Sequence, residues 1–159
     1  MSERADHIAG RLRQKGAETA AFFRALPPEA WDAPIYTDGM AWDVRQVLCH
    51  FVAAEREFIR LFEDVLNGGE GTPEGFDLDA FNERTVAEMD GLPPDDLIAA
   101  FEVVRAEMAA LVEGLDDADL DRKGRHPFFG VDRVEKFAKL IYRHNMLHER
   151  DIRRALGGS

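Results

Sequence analysis

The sequence predicts an all-α fold: a four-helix bundle forming a single domain over residues 1–159. Three observations predict it. Four long segments carry apolar residues at helical spacing. Each of those segments ends at a proline or glycine signal. No segment shows the convincing two-residue alternation of a half-buried strand.

The first helix is expected from about Glu3 to Leu26, with a modest apolar face of Ile8, Leu12, Ala20, Phe22 and Phe23. Pro27 and Pro28 end it, because proline cannot continue helical hydrogen bonding. A linker, Pro27 to Ala41, carries Trp31, Pro34, Tyr36 and Gly39. The second helix is expected from about Trp42 to Leu66, with Val47, Leu48, Phe51, Phe58 and Phe62 recurring on one side. Asn67, Gly68 and Gly69 stop it, and the glycine-rich stretch to Gly75 is expected to be mobile. A short helix follows, Asp77 to Met89, capped by Asp77 or Asp79. Pro93 and Pro94 open the third long helix, which runs to about Val112 and stops at Gly114. Leu115 to Gly130 reads as a connection, acidic at first and then His126-Pro127-Phe128-Phe129-Gly130. The fourth long helix is expected from about Val131 to Leu156, with Gly157 and Gly158 as its stop.

Composition narrows the function. With 45% apolar residues in 159, the chain can fill one core. Lys plus Arg number 20 against 31 Asp plus Glu, a formal net charge of −11. That excess repels phosphate backbones and anionic lipid, so neither nucleic acid nor a membrane is an expected partner. Arg122, Lys123 and Arg125 make a short basic run, but acidic residues precede it. Cys49 is a lone cysteine and cannot form an internal disulfide, which points to a reducing compartment. Met1 to Ala9 is charged and lacks the apolar segment of a signal peptide, and no apolar run approaches a membrane span. The expected location is cytoplasmic.

The candidate chemistry lies in the histidines. His144 and His148 are four apart, on one face of a helix and close enough to share a metal ion. They fall within the apolar stripe Phe137, Ile141, His144, His148, Ile152, so the pair points at the core. Buried imidazoles without partners are costly to desolvate, and coordination offsets that cost. A His-x-x-x-His pair also occurs as surface decoration or as a satisfied core pair. The third ligand is expected to be His50, on the inner side of the second helix beside Val47 and Phe51. His50 lies eight residues past the start of its helix and His148 eight before the end of its own, ~12 Å each at 1.5 Å per residue. The two fall level only if these helices run antiparallel. That requires the order up-down-down-up, with Asn67 to Leu92 as the long crossover.

The chain resembles a family at these points. WDVRQVLCHFVAAEREF, from Trp42, looks like the second-helix motif of the DinB/YfiT-like superfamily, in which a tryptophan begins the helix and a histidine follows about two turns later. HPFFGVDRVEKFAKLIYRHNMLHERDI looks like its final helix, with a His-x-x-x-His pair. FDLDAFNERTV is similar to a piece of the related mycothiol-dependent maleylpyruvate isomerase N-terminal domains. The resemblance implies an up-down-down-up bundle with a three-histidine metal site, His50, His144 and His148, and a coordination position open to water or substrate. The superfamily includes thiol-dependent S-transferases and isomerases, metal-dependent hydrolases, and members without known activity.

Three neutral nitrogens leave a metal its full charge, which favours deprotonation of a bound water or thiol. Zinc suits three imidazoles best; nickel, iron and manganese also fit the donor set. A low-molecular-weight thiol is a candidate cosubstrate. Two functional classes follow: a metal-dependent enzyme of thiol-transferase, isomerase or hydrolase type acting on a small molecule, and a noncatalytic metal-binding or stress-response module.

Other residues carry alternatives. Asn82 and Glu83 orient a substrate or simply solvate the short helix. Glu57 is an acid–base group, a partner to a ligand, or a solvated charge. Glu149 and Asp151 are expected to pair with arginines of the last helix, Cys49 to pack inertly, His126 to be structural and His7 to be exposed. Trp31 and Trp42 are expected to anchor the linker. The first helix is poor in large apolar residues while the second and fourth are rich, so a homodimer is expected to cover the excess.

Overall fold

Helix α1 (Glu3–Arg24) starts at Ser2, whose hydroxyl accepts the Ala5 N–H and so satisfies one of the helix's unpaired donors. It stops before Leu26, because the two prolines that follow turn the chain into a 3-10 turn over Pro28–Asp32. This computed structural model describes residues 2–37 and 40–157; Met1, Gly39 of the expected linker and Gly158 of the expected final stop lie outside them. Helix α2 (Val44–Leu66) begins two residues later than its apolar period suggested. Asp43 accepts from Gln46 N–H, and the Gln46 side chain accepts from Asp43 N–H in return. Trp42 and Asp43 instead form a short strand, β2, paired antiparallel with β1 (Pro34–Tyr36).

Helix α3 (Leu78–Met89) is capped by Asp77, and α4 (Pro94–Glu113) opens on proline, where the missing N–H costs nothing. The expected connection after Gly114 is more ordered than its composition suggested. It contains α5 (Asp117–Asp121) and the ribbon β3 (Lys123–His126) with β4 (Gly130–Arg133). That ribbon delays the last helix, α6 (Val134–Ala155), by three residues relative to the expected Val131. Gly124 is buried in it against the Val65 side chain, which leaves no room for a Cβ.

Directions follow from side-chain partners. Arg4 pairs with Glu135, Thr19 with Glu149, and Arg153 lies over Phe22, so α1 and α6 run parallel. Arg13 pairs with Glu113 and Arg24 with Glu102, so α1 and α4 are antiparallel. Phe51 meets Phe101 and Glu55 meets Arg105, making α2 and α4 parallel. Phe58 meets Phe137, while His50 lies near His148, making α2 and α6 antiparallel. The order is therefore up-down-down-up, and residues 67–93, with α3, form the crossover.

The core has two apolar parts. One holds Leu12, Phe62, Met108, Val112, Leu120 and Phe137; the other holds Phe23, Trp31, Leu48, Phe51, Leu97 and Phe101. Each fully buried aromatic or aliphatic side chain contributes roughly 1.5–3 kcal/mol. Between them lies a polar level with Glu55, Arg105, Thr19, Asn145 and His50, all buried. Helix α1 is poor in large apolar residues because it packs closely through small ones. An added Cβ on Gly16 would lie 2.6 Å from Arg105 Cγ. Among the described residues no helix is long and apolar enough to cross a membrane.

Candidate metal centre

Helix α2 presents His50 inward because position 50 shares the buried side with Val47 and Phe51. Helix α6 presents His144 and His148 one turn apart, opposite it. Ring centroids are 5.2 Å apart for His50–His144, 5.5 Å for His50–His148 and 4.5 Å for His144–His148. One nitrogen from each ring can be chosen so that all three lie within 4.8 Å of one another. The structure thus brings the three sequence-predicted histidines together, while His7 is exposed and remote in the chain.

Burial keeps the three rings neutral. It pushes His50 down to about 3, with His144 and His148 adding to the effect. It pushes His144 down to about 4 and lowers His148, against which Asp151 pulls upward. Neutral imidazole is the form that can donate a lone pair.

Orientation comes from groups the sequence did not reveal. The Tyr36 hydroxyl donates to Asp151 Oδ2 at 2.6 Å, so its oxygen accepts the His148 Nδ1–H at 2.7 Å. This assignment follows from the direction of the two bonds. It leaves the His148 Nε2 lone pair facing His144 Nε2, 2.9 Å away. Burial and the Asp151 carboxylate raise the Tyr36 pKa, so the phenol keeps its proton. Asp151 thus accepts from Tyr36 and Glu149 from Thr19, where arginines of the last helix were expected. Trp42 lies against the His50 ring at 4.9 Å, a closer part in the site than anchoring the linker.

The fit to a divalent ion can be judged from one atom. His50 Nδ1 is buried and has no hydrogen-bond partner. A buried orphan nitrogen costs about 1–3 kcal/mol. Three neutral imidazoles converging beside such an atom are a donor set suited to zinc-like cations. No carboxylate or thiol joins the cluster among the described residues, and Cys49 is buried with its thiol pushed up to about 12.

A cavity of about 290 Å³ opens beside His50 and His144. Its walls are α2, α3, α6 and the β3–β4 turn. Glu57, Asn82 and His126 bring polar groups to it among mostly aromatic and aliphatic side chains. Glu83 does not line it and is exposed. His126 is structural, as expected: its Nδ1 accepts from the Phe128 and Phe129 N–H groups at 3.0 and 3.2 Å. It is also a wall of the cavity, which its place in a supposed loop did not suggest.

The comparisons agree with this architecture. The profile of the DinB superfamily matches residues 11–152. No curated protein matches the sequence. Among solved structures, YfiT from Bacillus subtilis, described as a probable metal-dependent hydrolase with an unusual four-helix bundle topology, superposes with a TM-score of 0.77 at 23% identity. The match covers 100% of this chain and 91% of YfiT. The mycothiol-dependent maleylpyruvate isomerase superposes with a TM-score of 0.76 at 14% identity, over 93% of this chain and 60% of the isomerase. The colibactin self-resistance protein ClbS, solved with double-stranded DNA, superposes with a TM-score of 0.74 at 9% identity, over 96% of this chain and 94% of ClbS.

Proposed function

The chain belongs to the DinB superfamily, and on that premise we propose that it is a metal-dependent enzyme acting on a small molecule. His50, His144 and His148 hold one divalent ion, zinc by preference and nickel, iron or manganese as alternatives. The carrying observation is the convergence of three neutral imidazoles, one with an orphan nitrogen, beside an open cavity. When bound, such an ion supplies the Lewis acidity that makes water or a low-molecular-weight thiol nucleophilic near neutral pH.

The chain's own residues supply the rest. The Tyr36–Asp151 pair holds the His148 ring and its tautomer. The apolar wall excludes water from one side of the cluster. Glu57 is the one carboxylate lining the cavity, two turns beyond His50 on α2 with its side chain 18% exposed, and it accepts the proton of the attacking group. The reaction is hydrolysis when water is the nucleophile and thiol transfer or thiol-dependent isomerisation when a low-molecular-weight thiol is. The net charge of −11 favours a small molecule over duplex DNA as the partner. We also retain a homodimer, with light scattering at micromolar concentration as its test; Phe128, Val131, Met146 and Leu147 are exposed apolar side chains available to it.

Elemental analysis of the purified protein tests the metal. About one ion per chain is expected, lost in His50→Ala, His144→Ala and His148→Ala and kept in His7→Ala. No ion in any preparation, or equal loss in every histidine variant, overturns the site. Cobalt substitution tests the chemistry. A visible spectrum that changes on adding a thiol supports an open position, and a spectrum indifferent to added ligands supports the noncatalytic metal-binding or stress-response module instead.

A further inference from the structure

The β3–β4 turn fixes more than its own shape. His126 Nδ1 accepts two backbone N–H groups, from Phe128 and Phe129, so Nδ1 carries no proton. A neutral ring must then carry its proton on Nε2, at the opposite edge. Burial pushes His126 down to about 4, which keeps that ring neutral near pH 7. The ring cannot turn to relieve the donor. It stacks on Phe58 at 4.8 Å and 18°, and packs against Phe129 at 4.9 Å and Phe137 at 5.9 Å. No side-chain or backbone acceptor is bonded to Nε2 among the described residues, and His126 lines the cavity beside His50 and His144.

The cavity's other walls say what kind of molecule meets that donor. Phe58, Phe81, Phe128 and Phe129 make it strongly aromatic. Glu57 is its one charged side chain when the imidazoles are neutral, and no lysine or arginine lines it. In the metal-free protein an anionic group placed there would meet a carboxylate and no cation. A neutral carbonyl oxygen would find a rigid N–H that no protein acceptor claims among the described residues.

We propose that this cavity binds the aromatic or bulky apolar portion of an uncharged carbonyl compound (an ester, amide, thioester or ketone), and that His126 Nε2–H donates to its carbonyl oxygen. This deepens the functional reading above and rests on it for the chemistry, but the binding it describes does not need the metal. His126 is a substrate-binding and positioning residue. The turn has claimed its other nitrogen, so Nε2–H is the donor that this lining residue has left to offer.

The test uses the metal-free full-length chain, so that failure of metal binding, read separately by elemental analysis, cannot be mistaken for failure here. Acetophenone is the probe and ethylbenzene, which lacks only the carbonyl oxygen, is the reference; both are titrated by NMR. His126→Asn keeps an acceptor near the Nδ1 position for the turn and removes the cavity donor. His126→Gln keeps a donor near the Nε2 position and removes the turn's acceptor. The expected result is that the ratio of acetophenone to ethylbenzene affinity falls about fivefold to tenfold in His126→Asn, one neutral hydrogen bond. It should stay within about twofold of wild type in His126→Gln. Benzoate should bind more weakly than acetophenone. The proposal is overturned if acetophenone does not bind at the cavity, if His126→Gln loses the ratio and His126→Asn keeps it, if both variants lose it equally, or if benzoate binds at least as well.

Discussion

Two polar clusters lie at the same level of this bundle, and they are built on opposite plans. On one side of α2, Glu55 and Arg105 form a two-pronged ion pair at 2.8 and 2.9 Å, and Arg105 also donates to the Leu12 carbonyl at 3.2 Å. Both side chains are at most 4% exposed. On the other, three imidazoles face one another with a buried nitrogen left over and a cavity beside them. The first cluster spends its polar capacity inside the chain. The second keeps donor atoms in reserve. Burial alone therefore does not single out a candidate site; converging imidazoles with a partnerless ring nitrogen beside a cavity do.

The sharpest way to break the comparison is to damage the closed cluster. Glu55→Ala leaves a buried guanidinium without its partner and should cost about 3–5 kcal/mol of stability in urea unfolding. Glu55→Leu with Arg105→Met should recover most of that, since the pair's desolvation is then no longer needed. Metal content per folded molecule should be unchanged in the double variant. If it falls with stability, the two clusters are one unit.

The open cluster should respond the other way. His50→Ala should weaken zinc binding by more than the about 10- to 100-fold typical of losing a group that only orients a ligand. Helical content by circular dichroism should persist, because the two apolar parts of the core are complete without an ion. Tyr36→Phe should fall within that 10- to 100-fold range, since it frees the His148 ring without removing a donor. Calorimetric zinc titration checks both, and a Tyr36→Phe protein with unaltered affinity would remove the hydroxyl from the site.

Acid sharpens the contrast. An unfolded chain titrates its histidines near 6.5, whereas burial holds His50 at about 3 and His144 at about 4. Between those limits the unfolded state binds more protons. The contribution to metal-free stability is thus full above about pH 6.5 and is lost as pH falls toward 4, by up to about 1.4 kcal/mol per pH unit for each ring. Urea midpoints measured from pH 7 to 4.5 should fall, and His50→Ala should flatten the slope. The smallest effect belongs to His7→Ala, an exposed position, at within about 0.5 kcal/mol and with zinc affinity unaltered.

What could be read from the chain and what could not divide along the same physical line. The His144–His148 pair is local, so spacing alone placed both on one face. His50 was reached by counting rise along two helices, which works because α2 and α6 are regular. Tyr36 was invisible as a partner: it stands in a linker with no periodicity, 112 residues before His148. The β3–β4 ribbon escaped for a related reason. Its strands are four residues each, with Lys123, Arg125, Asp132 and Arg133 where an apolar alternation would have been the signal. The same short ribbon hid His126, whose role comes from the backbone it supports.

The antiparallel meeting of α2 with α6 has a consequence for the order in which the protein is made. His50 leaves the ribosome long before His144 and His148, and α6 also covers the side of α1 that holds Arg4 and Thr19. A nascent chain that has not yet released α6 carries only His50 of the three clustered imidazoles and has no three-donor site. Long-range closure of this kind is slow relative to local helix formation. The three-histidine cluster proposed to hold an ion therefore exists only in chains whose last helix has docked.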